Sequence, residues 1–233
     1  MNDLNILYED NHIIVVIKEP GIPVQQDKSN DEDMLSIIKK YIKEKYNKPG
    51  DVYLGLVHRL DRMVGGVMVF TKTSKAASRL SEYIRQKNVK KRYFAIVNGM
   101  LPISSNYIRL NDFLLKNERL NMSNVVTENT KGAKAAELEY MVINNFKYSG
   151  KDYSFVEIDL HTGRHHQIRV QFANLGYPLY GDIKYGQKIN KVGQNLALFS
   201  HYLSFFHPTK DEYLEFEFKP NNMKKMDKIW EVI

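Results

Sequence analysis

The 233 residues include no cysteine. That excludes disulfides, thiolate nucleophiles and cysteine-ligated metal centres. No run reaches the ~20 apolar residues of a membrane span. The opening stretch Met1-Asn2-Asp3-Leu4-Asn5-Ile6-Leu7-Tyr8 has no basic region ahead of an apolar one. The expectation is a soluble, cytoplasmic protein. There is no Gly-Lys-Ser/Thr phosphate loop, no Gly-x-Gly-x-x-Gly behind a strand and no Gly-x-Ser-x-Gly elbow. Nucleotide-cofactor and serine-hydrolase chemistry therefore find little support. His161, His165 and His166 cluster in sequence but lack His-Glu-x-x-His spacing and an acidic neighbour, so no metal is expected. There is no fixed-period repeat, no low-complexity tract and no linker, so residues 1–233 read as one domain.

What is present is an excess of positive charge. Lys and Arg number 34 against 27 Asp and Glu, and 34 − 27 gives +7. Such a balance favours a polyanionic partner, nucleic acid or an anionic membrane. The apolar pattern points to strands. Ile13 to Ile17 is a continuous β-branched run, stopped by Pro20-Gly21. Tyr93–Val97, Ala135–Ile143, Tyr153–Leu160, Leu196–Phe206 and Tyr213–Phe218 read as further strands. Helices are expected over Met34–Tyr46, capped by Asp31 or Asp33, and from Ser74 as N-cap to about Gln86. A third is expected near His165–Leu175, with Ile168, Phe172 and Leu175 inward and Gly176 as the stop. Residues 101–133 show weak periodicity and read as short edge strands and loops. About nine strands with two or three helices argue for an α+β fold on a mixed, largely antiparallel sheet.

One stretch organises the rest: Leu56-Val57-His58-Arg59-Leu60-Asp61-Arg62-Met63-Val64-Gly65-Gly66, followed by the apolar run Val67–Phe70. A carboxylate among His58, Arg59 and Arg62 precedes a rigid strand, where basic neighbours would keep it ionised. Two glycines after it let a substrate or another backbone come close. Tyr93 behind a basic cluster and the turn Thr162-Gly163-Arg164 complete a dispersed set. An aromatic, an arginine and a carboxylate can enclose a planar base.

His58-Arg59-Leu60-Asp61 with its glycines, Lys91-Arg92-Tyr93, and His161-Thr162-Gly163-Arg164-His165-His166-Gln167-Ile168-Arg169 resemble the three signature motifs of the RluA-type RNA pseudouridine synthases. Gly176-Tyr177-Pro178-Leu179-Tyr180-Gly181-Asp182 and Leu203-Ser204-Phe205 also resemble the family, in the expected order, and the match runs from about Leu7 to Pro220. The resemblance implies a pseudouridine-synthase-like fold and isomerisation of uridine to pseudouridine in rRNA or tRNA. It implies no cofactor and no metal. Asp61 matches the catalytic aspartate, Tyr93 the residue that stacks on the base, and Arg164 the partner of the aspartate. Arg59 matches a residue beside the flipped nucleotide, and Leu198 an apolar pocket residue. The expected partner is RNA, with no membrane, and the expected state is a monomer.

Two departures stand out. The family's usual Thr-Ser-Gly after the aspartate turn is Val64-Gly65-Gly66 here, which removes two hydroxyls. The chain also opens on the catalytic motifs, so no separate N-terminal RNA-binding domain is expected. Whether the aspartate acts as nucleophile or removes a sugar proton on a glycal route stays open. The alternative function is a non-catalytic RNA-binding or RNA-folding factor on the same fold. It predicts erosion of the pocket, whereas Asp61, Tyr93 and Arg164 are all present.

Overall fold

The computed structural model describes residues 4–27, 29–223 and 226–233; residues 1–3 of the opening stretch read above lie outside them. The chain forms two compact units. The first takes the chain up to Lys90 and then from Ser200 to 225; the second takes Lys91–Phe199 and Met226–Ile233.

In the first unit, β1 (Ile6–Glu9) and β2 (Ile13–Lys18) form an antiparallel pair, and β2 pairs antiparallel with β4 (Gly65–Thr71). A two-residue strand, β3 (Gly55–Leu56), adds to β4. β10 (Leu198–Phe206) runs from the second unit into the first, where β11 (Tyr213–Glu217) pairs with it antiparallel. Every residue of β2 and β4 is buried. Their continuous apolar runs are those of strands covered on both faces.

Helix α1 (Met34–Lys45) begins at Asp33, whose carboxylate accepts from the Ser36 amide at 3.1 Å. Met34, Ile38 and Ile42 face the core, while Tyr46, the last residue of the expected helix, is its C-cap and half exposed. Helix α2 (Ser74–Arg85) starts one residue earlier than expected. Thr73 is its cap, through the Ala76 amide at 3.3 Å, and Ser74 is the first helical residue.

In the second unit, β5 (Lys90–Asn98), β9 (Lys151–Leu160), β8 (Lys134–Tyr148), β6 (Ile108–Asn117) and β7 (Met122–Val126) follow one another across the sheet, antiparallel throughout. The stretch 101–133 thus contains one short edge strand, β7, as expected, and also the ten-residue β6 inside the sheet, which the expectation of short pieces missed. Its polar and apolar residues alternate too loosely to show this, because only Leu114 of β6 is buried. Helix α3 (Gln167–Asn174) is shorter than expected. It is buried from Gln167 to Phe172 on all sides, which explains its lack of a clear apolar face. Leu175, expected inward, is exposed, and Gly176 takes the left-handed stop conformation at φ +90°. Residues 228–232 close the second unit as a 3₁₀ turn whose Trp230 is buried edge-on to Phe155.

Glu9 ties β1 to α1 and to the end of β4. Its carboxylate accepts from Tyr41 (2.9 Å), Lys45 (2.7 Å), Tyr46 (3.0 Å) and Lys72 (2.6 Å). Burial pushes its pKa up, but these four donors outweigh burial and hold it down at about 2. A carboxylate held lower in the folded than in the unfolded chain stabilises the fold above its unfolded value. That contribution is lost as the pH falls from about 4.5 toward 2. Glu9→Gln is therefore expected to lower stability at pH 7 by roughly 2–3 kcal/mol. Denaturant melts from pH 7 to pH 2.5 test this: the wild-type and variant curves should converge at the acid end. A constant offset at every pH would contradict it.

Candidate functional site

The acidic turn is built from the inside outward. Leu60 and Val64 are buried on either side of it. Between them the Val64 amide donates to the Asp61 carbonyl at 3.0 Å, and the Met63 amide donates to the Asp61 carboxylate at 3.2 Å. This is the short-range side-chain turn that aspartate favours. The turn is fastened to the Pro20-Gly21 turn by two bonds: Gly21 N to Arg62 O at 2.8 Å, and Arg62 Nε to Gly21 O at 2.9 Å. The Arg62 guanidinium continues outward to Ser29 Oγ (2.9 Å), Asp27 (3.5 Å) and Asp31. Arg62 thus fastens the acidic turn to Gly21, Asp27, Ser29 and Asp31. His58 is also structural: its Nε2 accepts the Val69 amide at 3.1 Å, which places the proton of the neutral ring on Nδ1. Arg59 is exposed.

Lys18 is the residue that sequence reasoning missed. It is fully buried, and its Nζ donates to the carbonyls of Arg62 (2.9 Å) and Glu19 (3.0 Å). Burial pulls its pKa down to about 7, against the pull of the Asp61 charge, while Arg62 lowers it further. The available signal was its position, the last residue of a strand otherwise wholly apolar and just ahead of Pro20-Gly21. Gly66 is the second residue of β4, the strand behind the turn. Its φ is +129°, and a Cβ there would lie 2.2 Å from the Ser200 carbonyl oxygen. The space that this glycine leaves is taken by protein backbone.

The second unit holds the other expected residues. Tyr93 lies in β5 opposite Ile158 and is buried, at 6% exposure. Lys91, in the basic cluster ahead of Tyr93, is partly buried. Burial lowers its pKa and Asp159 raises it. The Thr162–Gln167 turn is organised by Gln167, a further residue the sequence reading passed over. Its Oε1 accepts from Thr162 Oγ1 (2.8 Å) and the Arg164 amide (3.0 Å), and its Nε2 donates to Glu137 O (3.1 Å). Arg164 is exposed, with Nε given to the Ala135 carbonyl at 2.8 Å. Behind it the rings of His165 and His166 stack at 3.8 Å. His165 Nδ1 lies 3.0 Å from Ser123 Oγ, and His166 Nδ1 2.9 Å from the Tyr185 hydroxyl. His161 faces Glu139 instead, at 3.3 Å. Arg169 grips Asp182 through two bonds of 2.7 Å, both side chains buried, which fixes α3 to the Gly176–Asp182 loop. Leu198 is buried at the head of β10. So Arg59 and Asp61 share one turn of the first unit, and Tyr93, Arg164 and Leu198 belong to the second.

The model of one family, RNA pseudouridylate synthase, matches residues 12–174, which include both the acidic turn and the Thr-Gly-Arg turn. The chain belongs to the RNA pseudouridylate synthase family. Its members are isomerases. It is 30% identical to an RNA pseudouridine synthase of Aquifex aeolicus, over 96% of this chain and 72% of that protein. It is 34% identical to the ribosomal large subunit pseudouridine synthase C of Buchnera aphidicola subsp. Baizongia pistaciae. That match takes in 88% of this chain but only 63% of the relative's length. The solved human RNA pseudouridylate synthase domain containing 4 shares the fold, with a TM-score of 0.76 at 21% identity over 97% of this chain and 90% of that one. The synthase fold is α+β, as the strand and helix pattern implied. No helix among the described residues is long and apolar enough to cross a membrane.

Lys18 generates a test within this family. A lysine whose folded pKa lies near 7, below an unfolded value near 10.5, makes the fold more stable as the pH rises between the two. The slope is at most about 1.4 kcal/mol per pH unit. Lys18→Met removes that slope. It also leaves the Glu19 and Arg62 carbonyls without their donor, at ~1–3 kcal/mol each. Denaturant melts of both proteins from pH 6.5 to 9.5 check it. Parallel pH dependence in the two would mean that Lys18 stays charged throughout.

Proposed function

We propose that this chain isomerises specific uridines of ribosomal or transfer RNA to pseudouridine, with residues 1–233 acting as one catalytic module. The observation that carries the reading is the Asp61 turn. A carboxylate at the position that resembles the family's aspartate accepts from the Met63 amide, on a turn whose backbone Lys18 and Arg62 fasten and which runs into a fully buried strand. Chemistry at a ribose carbon needs that kind of fixed placement. The ribosomal target draws support from the name of the Buchnera relative.

The reaction breaks the bond from ribose C1′ to uracil N1, turns the base, closes a new bond from C1′ to C5, and ends as C5 loses its proton and N1 gains one. A base stacked in a helix cannot turn, so the nucleotide leaves the stack for a pocket. Asp61 initiates the reaction, as nucleophile or as base. Tyr93 covers the uracil, Leu198 lines the pocket beneath it, and Arg59 lies beside the flipped nucleotide. Arg164 holds Asp61 ionised and oriented once RNA is bound. The excess of lysine and arginine meets phosphates, so affinity falls as salt rises. The chemistry calls for neither metal nor cofactor. The protein works in the cytoplasm as a monomer.

The test is single-turnover isomerisation of a substrate RNA, found by mapping pseudouridine in total RNA with and without the gene. Asp61→Asn keeps the shape of the side chain and removes its ability to act as nucleophile or base. It is expected to abolish turnover while RNA binding persists, and substantial residual turnover would remove Asp61 from the mechanism.

Two further variants separate stacking from charge. Tyr93→Phe keeps the ring and loses one hydroxyl, worth ~1 kcal/mol or about fivefold in rate. Arg164→Ala loses a charge-assisted contact, ~3 kcal/mol or on the order of a hundredfold. Part of that loss is expected to return at higher pH, where an Asp61 of raised pKa is again ionised. A more damaging Tyr93→Phe would place the hydroxyl in the chemistry and overturn the stacking role.

A further inference from the structure

The second unit has an open cleft of about 380 Å³. It lies at the end of β5 opposite Tyr93. Tyr93 and Asn98 are five residues apart on one strand, a separation of about 16 Å. The cleft is lined by Asn98 and Gly99, by Gly150, Lys151 and Asp152 at the start of β9, by Gly176 and Tyr177, and by Ile189. None of these residues has a part in the reaction described above.

The walls are fixed. Asn98 Nδ2 donates to the Pro178 carbonyl (2.8 Å) and to Asn190 Oδ1 (3.2 Å). Asn190 in turn donates to the carbonyls of Leu179 (2.8 Å) and Asp182 (3.1 Å), which holds the turn carrying Ile189. The Tyr177 ring lies so close over Gly99 that a Cβ on Gly99 would be 3.1 Å from two of its carbons. At Gly150 and Gly176 an added Cβ would meet nothing within 4 Å, so the floor there is bare backbone facing open space.

The charge around the rim selects the occupant. Asp152 is neutralised by Lys147 at 2.6 Å. Lys151 is exposed at the rim, and the turn that holds Ile189 also carries exposed Lys188 and Lys191. An aromatic wall, an isoleucine and a surplus of lysines fit a nucleobase with its phosphate. The volume accommodates a base and its ribose.

We propose that this cleft is a second nucleotide site, in which an unpaired nucleotide of the substrate RNA, away from the target uridine, stacks against Tyr177 with its phosphate near Lys151. The proposal rests on the reading of the chain as an RNA-modifying enzyme. It gives the chain a way to select its RNA by a feature remote from the reacting base.

The probe is a ten-nucleotide single-stranded RNA containing 4-thiouridine, photo-crosslinked to the full chain, with adducts mapped by mass spectrometry. Adducts are expected on Tyr177 or Lys151 and are expected to fall in Lys151→Glu. In steady-state assays on a substrate RNA, Lys151→Glu is expected to raise KM about tenfold at unchanged kcat. Tyr177→Leu is expected to do the same; if it fails to fold, the exposed Lys151 variant carries the test. Crosslinks confined to other surfaces, or a KM that does not move in Lys151→Glu, overturn the second site. Those outcomes leave pseudouridine formation by the wild type untouched. A wild type that binds RNA at the cleft but forms no pseudouridine overturns the catalytic reading alone.

Discussion

The Nζ of Lys18 sits in the interior of the first unit, between the carbonyls of Glu19 and Arg62, and the acidic turn takes its shape from that contact. One donor serves the end of β2 and the turn that carries Asp61. Arg62 then fastens the same turn to Gly21 from the outer side. A carboxylate at the surface of a loop would sample many positions. Here its backbone is bonded on both sides, and its side chain is folded back onto the Met63 amide. The rigidity comes from polar contacts beneath the turn, while Leu60 and Val64 supply the apolar anchors. Gly66 adds a steric requirement, since only a residue without a side chain lets β4 pass so close to Ser200.

The second unit solves a similar problem differently. Arg164 sits on a turn that contributes almost no apolar surface. Its conformation is set by one amide side chain: Gln167 satisfies both the Thr162 hydroxyl and the Arg164 amide while reaching back to β8. Behind that turn, Arg169 and Asp182 neutralise each other in the interior. Such a pair is costly to bury and more costly to break, which makes the relation of α3 to the Gly176–Asp182 loop hard to change.

The strands were readable wherever burial was continuous or alternating. β2, β4 and β9 carry their pattern openly, and α1 has a cap and an inner face at helical spacing. The pattern failed where the environment is mixed. β6 buries only Leu114, so its ten residues do not alternate cleanly. α3 is enclosed all round, which erases amphipathicity. Asp61, Tyr93 and Arg164 were singled out through the order of three motifs, since each alone is an ordinary residue. Lys18, Gln167 and the Arg169–Asp182 pair were not singled out as supports. Their importance lies in whom they bond, and a bond partner far along the chain leaves no local trace.

Neither unit is continuous in sequence. The first is interrupted after Lys90 and resumes at Ser200, and the second is finished only by residues 226–233. A chain emerging from a ribosome therefore presents Asp61 long before β10 is available to join β4 and β11 to join β10. It then presents β5 to β9 before Trp230 arrives to cover Phe155. Both units must wait, with apolar strand surface uncovered, for segments that appear late. Their closing contacts are distant in sequence, which favours slow maturation and exposes the nascent chain to aggregation and to chaperone capture.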